Sequence, residues 1–142
     1  MSTAADLILA ASDEAPAILA SDYPLGTFKG SNVDGLDPLK LAALHSLFAQ
    51  KPFEIVVREY QPAGQASPQG PWLVKIPVEL VTSLSNIAPP DQAAVAARWA
   101  STDQLKEQGW SEEDADGFLG RLVPYAQTAA FQGKDLFLWI YD

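Results

Sequence analysis

The chain has 142 residues, of which 48% are hydrophobic and 19% charged, and it contains no cysteine. This composition is typical of a folded globular domain, and the lack of cysteine excludes disulfides, thiolate nucleophiles and cysteine-ligated metal sites. The net charge of −9 disfavours binding to nucleic acid or to anionic lipid, because the phosphate groups of both repel an acidic surface.

A chain of this length fits one domain with one core, so we expect residues 1–142 to fold as a single unit. No stretch approaches the length of a membrane span. The apolar run 7–11 also lacks the basic flank and the length of a secretory signal. We therefore expect a cytoplasmic protein that does not bind membranes.

In the first half of the chain, three short apolar runs predict strands. Residues 6–11, 53–60 and 72–76 are rich in aliphatic or aromatic side chains and are bounded by turn residues. The segments 21–35 and 61–71 carry repeated glycine and proline, which favour turns over regular elements. We therefore expect both of these segments to be loops.

The same half is predicted to contain two helices. Residues 12–20 form a short one, and a clearer one begins after Asp37, a good N-cap that is followed by Pro38 at the first helical position. The apolar face of the second helix, at helical spacing, consists of Leu41, Leu44, His45 and Phe48. Pro52 is predicted to end this helix.

In the second half, caps and helix breakers delimit three predicted helices. The first opens at Pro77, and the second runs from near Asp91 to Gly109. The third begins after the N-cap Ser111, whose neighbours 112–114 are three carboxylates that suit the positive end of a helix dipole. Gly133 is placed to end the third helix.

Two further features complete the predicted fold. Pro124 is expected to kink or divide the third of these helices. Residues 136–141 are almost wholly apolar, which predicts a strand buried on both faces. The sequence therefore predicts an α+β domain with a small mixed sheet of about four strands and four or five helices packed around it.

His45 is the only histidine and thus the only side chain with an unperturbed pKa near neutrality. As a general base it would need a carboxylate or hydroxyl partner, and Asp34 and Asp37 lie just upstream. His45 shares its helix face with Leu41 and Phe48, however, which is typical of a buried histidine with a structural hydrogen bond. We favour that interpretation over a catalytic pair of His45 with Asp34 or Asp37.

No metal or cofactor site is predicted. One histidine and no cysteine leave carboxylates as the main candidate ligands, and no glycine-rich phosphate-binding motif is present. Carboxylates are concentrated between residues 103 and 116, where the only basic residue is Lys106. We name five of them the acidic corner: Asp103, Glu107, Glu112, Glu113 and Asp116.

These observations favour a non-catalytic protein-interaction module, of the immunity or regulatory type, that binds a basic protein through the acidic corner. The carboxylates converge if the two helices that carry them meet at Gly109 and Trp110. Two alternatives stay open. One is a small enzyme that uses His45, and the other is a small-ligand-binding domain with a tryptophan-lined pocket.

Three segments resemble the YfbM-like family of bacterial domains of unknown function. They are the capped helix with its Leu44–His45 step at residues 35–48, the strand passing into a helix at 74–81, and residues 129–134 before the terminal strand. The resemblance implies an α+β fold with helices around a small sheet. It implies no established activity and transfers no functional residue.

Overall fold

A computed structural model describes residues 4–65, 67–68 and 70–141. In these residues five strands form one antiparallel sheet in the order β2-β1-β5-β4-β3. The strands are β1 Ala4–Ala10, β2 Lys29–Asn32, β3 Pro62–Gln65, β4 Trp72–Lys75 and β5 Asp135–Tyr141. The predicted α+β class is therefore confirmed, with an antiparallel sheet of five strands in place of a mixed sheet of about four.

Seven α-helices occur in the described parts of the chain. They are α1 Ala15–Leu19, α2 Pro38–Ala49, α3 Phe53–Val56, α4 Val78–Ser85, α5 Gln92–Ala100, α6 Asp103–Glu107 and α7 Glu112–Gln132. Short 3₁₀ turns adjoin three of them, at Ser12–Glu14, Val57–Glu59 and Pro89–Asp91, and another, Pro24–Gly26, precedes β2. Among these described residues, no helix combines the length and the hydrophobicity that crossing a bilayer requires.

The terminal strand β5 lies in the middle of the sheet. It pairs with β1 along its whole length, from Ala4 opposite Tyr141 to Ala10 opposite Asp135, and with β4 on its other side. Residues 136–140 are all buried. The prediction of an interior strand at this end of the chain is confirmed.

The sheet buries side chains on both faces. Alternate residues of β1 and β5, such as Leu7 and Leu138, enter the main core with helices α2, α4, α5 and α7. The opposite face carries Ile8 and Phe137 and is covered by Ile18 of α1 and by neighbouring apolar residues. We call this opposite face the α1 face.

The predicted strand at residues 53–60 is wrong, because this segment forms α3 and a 3₁₀ turn. Its buried side chains are Val56 and Tyr60, which are four residues apart, while Ile55 is 54% exposed. Burial thus follows the helical period and not the alternation of a strand. The high strand propensity of the segment is overridden by how it packs on the core.

Both segments predicted to be loops contain an edge strand. β2 and β3 have the sequences KGSN and PAGQ, which lack β-branched and aromatic residues. Their strand conformation depends on pairing with β1 and β4, so their own residues give little local signal. Pro62 is tolerated in β3 because an edge strand has one side without ladder bonds.

One predicted helix is divided in the structure, and another is continuous where a kink or a division is predicted. The helix expected from Asp91 to Gly109 is divided into α5 and α6 by Ser101 and Thr102, and the Thr102 hydroxyl donates to the carbonyl oxygen of Trp99. Conversely, α7 runs through Pro124 without division. Proline has no N–H, so the carbonyl oxygen of residue 120 lacks its helical hydrogen bond. Both residues are exposed, so water can take the place of the missing donor.

Candidate functional site

His45 lies in α2, and its side chain is fully buried, as its apolar helix face predicts. The α2 helix is positioned by its N-cap, where the Asp37 carboxylate accepts a hydrogen bond of 2.9 Å from the backbone N–H of Lys40. The imidazole contacts two side chains from other elements. Its Nδ1 lies 2.9 Å from the Tyr60 hydroxyl, and its Nε2 lies 2.6 Å from Oε1 of Glu79 in α4.

The carboxylate of Glu79 determines the direction of both hydrogen bonds of the His45 ring. The ionised carboxylate of Glu79 can only accept, so the Nε2–H of His45 donates to it across 2.6 Å. This hydrogen bond is the main cause that lowers the pKa of Glu79. The Nδ1 atom then accepts from the hydroxyl of Tyr60. Burial, with smaller contributions from Glu59 and Glu79, raises the pKa of Tyr60 and keeps its proton in place.

The network therefore connects α2, the turn after α3 and the first turn of α4, but it does not expose the imidazole. Only Glu79 reaches solvent, with about half of its side chain exposed, and it also lies 3.9 Å from the ammonium of Lys51. A substrate would have no access to the imidazole in this arrangement.

The structure does not bring Asp34 or Asp37 to His45. The Asp37 carboxylate caps α2 and forms an ion pair of 2.9 Å with Lys40 Nζ, and Asp34 accepts a hydrogen bond of 2.9 Å from the backbone N–H of Ala5. Sequence reasoning missed Tyr60 and Glu79 as the partners of His45. The helical spacing of Val56 and Tyr60 is the signal that could have indicated one of them.

The acidic corner lies where α6 meets α7. Asp103 and Glu107 begin and end α6, and the other three residues lie in the first turns of α7. A hydrogen bond of 3.0 Å from the backbone N–H of Trp110 to the Leu105 carbonyl oxygen orders the short connection between the two helices. The Trp110 ring stacks on Phe118 at 4.3 Å between centroids, which fixes the direction in which α7 leaves the connection.

All five side chains of the acidic corner are exposed, and within the described ranges none forms an ion pair. Asp116 accepts a hydrogen bond of 3.0 Å from Gln92, which holds the start of α5 against α7. The nearby Asp114 forms a capping box with Ser111 and is satisfied locally. The corner thus presents carboxylates that no cation of the described chain neutralises.

Trp99, Trp110 and Trp139 do not line a common pocket. Trp99 is buried in the main core, where its indole N–H donates to the Lys40 carbonyl oxygen at 2.9 Å, and Trp110 packs against the same core. Trp139 lies on the α1 face, on the other side of the sheet. Among the described residues, no group of three or more histidine, aspartate and glutamate side chains could hold one metal ion.

No protein-family model, curated protein or solved structure matches this chain. The resemblance to the YfbM-like family therefore stays a prediction, and the functional conclusion depends on the geometry of the chain itself.

Proposed function

We propose that this chain is a cytoplasmic, non-catalytic interaction module of the immunity or regulatory type, and that its acidic corner binds a basic protein. The observation that carries the proposal is the set of exposed carboxylates on α6 and the start of α7 that lack an internal cation. Complementary charge of this kind accelerates association and selects partners of opposite sign.

Burial of His45 supports a binding role over an enzymatic one. The imidazole has both nitrogens engaged by Tyr60 and Glu79 and has no exposed surface. A general base must reach the proton that it removes, either directly or through one water. The binding proposal needs no such opening of the core.

A comparison of two charge-matched variants tests the proposal. The corner variant carries Glu112→Gln, Glu113→Gln and Asp116→Asn, and the amide oxygen introduced at position 116 can still accept from Gln92. The control variant carries Asp13→Asn, Asp22→Asn and Glu54→Gln, which are exposed carboxylates on other elements. Each variant removes three negative charges from the same chain.

Wild type, corner variant and control variant are immobilised and incubated with cytosol of the native host. We expect wild type and control to retain the same basic protein and the corner variant to lose it, with recovery that decreases as salt rises. Equal recovery by all three proteins would show that the acidic corner is not the interface. Loss by both variants would assign the effect to net charge alone.

A further inference from the structure

A second polar group lies on the α1 face, where β1, β2 and β5 run side by side. Asp6 is opposite Asn32 of β2 on one side and opposite Trp139 of β5 on the other. Residues paired in this way project to the same face, with Cβ atoms about 4.5–5.5 Å apart. The carboxylate, the amide and the indole are therefore direct neighbours in one row across the sheet.

Two carboxylates in this group share a single amide. The Asn32 side-chain N–H₂ donates to Asp6 at 3.1 Å and to Asp34 at 3.0 Å. Asp6 is only 2% exposed, and neither aspartate forms an ion pair with a described basic side chain. Desolvation, together with the charge of Asp34, raises the pKa of Asp6. Buried carboxylates are normally paired with a cation, so this arrangement is costly by itself.

Trp139 adds an unsatisfied donor to the same row. The residue is 5% exposed, and its Nε1 is buried with no hydrogen-bond partner in the described structure. Indole N–H groups usually find an acceptor when they are buried. The Asp6 carboxylate, which has no cation beside it, thus lies next to the Trp139 indole N–H, which has no acceptor.

The rim of this group is accessible and aromatic. The Tyr141 ring lies 4.6 Å from the Trp139 ring between centroids, and Tyr23 is 64% exposed. Burial raises the pKa of Tyr141, and the charges of Asp6 and Asp34 raise it further. Asp34 is itself exposed, so an approaching ligand meets this carboxylate and the Tyr141 ring first.

We propose that this group, which we name the α1-face site, binds an organic cation that carries a hydrogen-bond acceptor next to its charged group. An ammonium or guanidinium ion pairs with the two aspartates and lies against the Tyr141 ring. The neighbouring acceptor, such as an amide carbonyl, takes the free N–H of Trp139. Lysine and arginine residues combine both features, either as small amino-acid derivatives or within a polypeptide.

The α1-face site does not depend on the acidic corner. Leu105 of α6 and the buried side chains of α7 belong to the main core, on the other side of the sheet. The corner variant described above should therefore bind the cation as wild type does. Failure of one proposal leaves the other standing.

The test follows the indole N–H resonances of the full chain by NMR while a capped amino acid is added. The probes are Nα-acetyl-arginine amide, its lysine counterpart and a short arginine- and lysine-containing peptide, and Nα-acetyl-citrulline amide is the neutral isostere. The Trp139 peak is assigned by Trp139→Phe. The Trp99 peak is the internal reference, since its N–H is bound to Lys40 in the core.

We expect the cationic probes to shift the Trp139 peak saturably, and citrulline and the Trp99 peak to show no change. Asp34→Asn keeps the acceptor for Ala5 and should weaken binding at least tenfold, on the order of one charge-assisted hydrogen bond. Asp13→Asn is the matched control with unchanged affinity.

Response to the peptide alone would identify a polypeptide as the source of the cation, and response to the capped amino acids would identify small molecules as sufficient. An unmoved Trp139 peak with every probe up to about 50 mM, weaker than any useful affinity, would overturn the proposal. So would equal shifts with arginine and citrulline, or equal affinity of Asp34→Asn and wild type.

Discussion

His45 is a single buried polar residue that connects three elements of the fold by hydrogen bonds. Its two ring nitrogens are bonded to Tyr60 and Glu79, which lie 15 and 34 residues further along the chain. Because Tyr60 is only 4% exposed, its hydroxyl has few other partners if the imidazole is removed. The cost of removing His45 therefore lies mainly in the polar group that it leaves behind.

A double-mutant cycle tests this account. His45→Leu should lower the free energy of unfolding by about 1–3 kcal/mol, because the Tyr60 hydroxyl is left buried without an acceptor. Adding Tyr60→Phe should restore part of that loss, since both polar partners are then replaced by apolar groups. Urea denaturation of the two single variants and the double variant measures the coupling. If the losses of unfolding free energy in the two single variants add up to the loss in the double variant, the two side chains are not energetically coupled.

Glu79 gives the same network a pH dependence. Its pKa is lowered from its ordinary value of 4.5, first by the hydrogen bond from His45 and further by Lys51, while desolvation opposes the shift. A carboxylate with a lowered folded pKa contributes stability that is present above its unfolded pKa and is lost as pH falls through the folded value. The contribution is therefore complete at neutral pH and declines below about pH 4.5.

Glu79→Gln removes this titration and keeps an acceptor for the imidazole. We expect the difference in unfolding free energy between wild type and Glu79→Gln to favour wild type at pH 7 and to shrink steadily between about pH 5 and pH 3. Thermal or urea unfolding at several pH values measures it. Glu54→Gln, at an exposed helix position, is the control variant. A difference that stays constant with pH would contradict the assigned cause.

Two glycines, Gly30 in β2 and Gly120 in α7, differ in whether their surroundings leave room for a side chain. A Cβ at Gly30 in β2 would collide with the backbone carbonyl oxygen of Leu7 in β1, whereas a Cβ at Gly120 in α7 would meet no atom within 4 Å. The Gly30 carbonyl oxygen also accepts a hydrogen bond of 2.7 Å from the hydroxyl of Tyr125 in α7. The short strand β2 thus requires glycine for its close approach to β1, and α7 has room for a Cβ at residue 120.

Alanine at each position should therefore change stability in opposite directions. Gly30→Ala should destabilise by about 1–3 kcal/mol or more, because the backbone of β1 or β2 has to move. Gly120→Ala should stabilise by about 0.5–1 kcal/mol through helix propensity alone. Chemical denaturation of both variants measures the two effects. Stabilisation by Gly30→Ala would show that β2 does not lie as close to β1 as the structure places it.

The elements that the sequence predicts well are those with local signals. The Asp37 cap, the Ser111 cap and the apolar run of β5 are each contained within a few neighbouring residues. β2, β3 and α3 are determined by pairing and packing with distant segments, so their own residues predict the wrong conformation or none.

The same distinction applies to the candidate sites. The acidic corner is visible in the sequence because its carboxylates are close together along the chain. The α1-face site combines Asp6, Asn32 and Asp34 with Trp139 and Tyr141 from the other end of the chain. The registers of β2 and β5 against β1 bring these side chains together, and no local pattern specifies those registers.

For binding to nucleic acid, the distribution of basic residues over the whole molecule matters as much as the net charge of −9. Three of the nine lysines and arginines, Lys40, Lys51 and Lys75, form ion pairs with carboxylates. The other six are Lys29, Arg58, Arg98, Lys106, Arg121 and Lys134, and no helix or strand carries two of them. Within the described residues, no single element therefore presents a basic stripe.

This distribution leads to an expectation about nucleic acids. Binding to a phosphate backbone draws its affinity from the release of counterions by clustered lysines and arginines, and an acidic surface opposes the approach. We expect wild type to show no salt-sensitive gel shift tighter than about micromolar with single- or double-stranded DNA or RNA. The corner variant, which has three fewer negative charges and no new cation, should behave in the same way. A salt-sensitive complex of wild type that is lost on Arg98→Gln or Arg121→Gln would show that separate elements gather a basic surface, and the acidic character of the chain would no longer exclude this class of ligand.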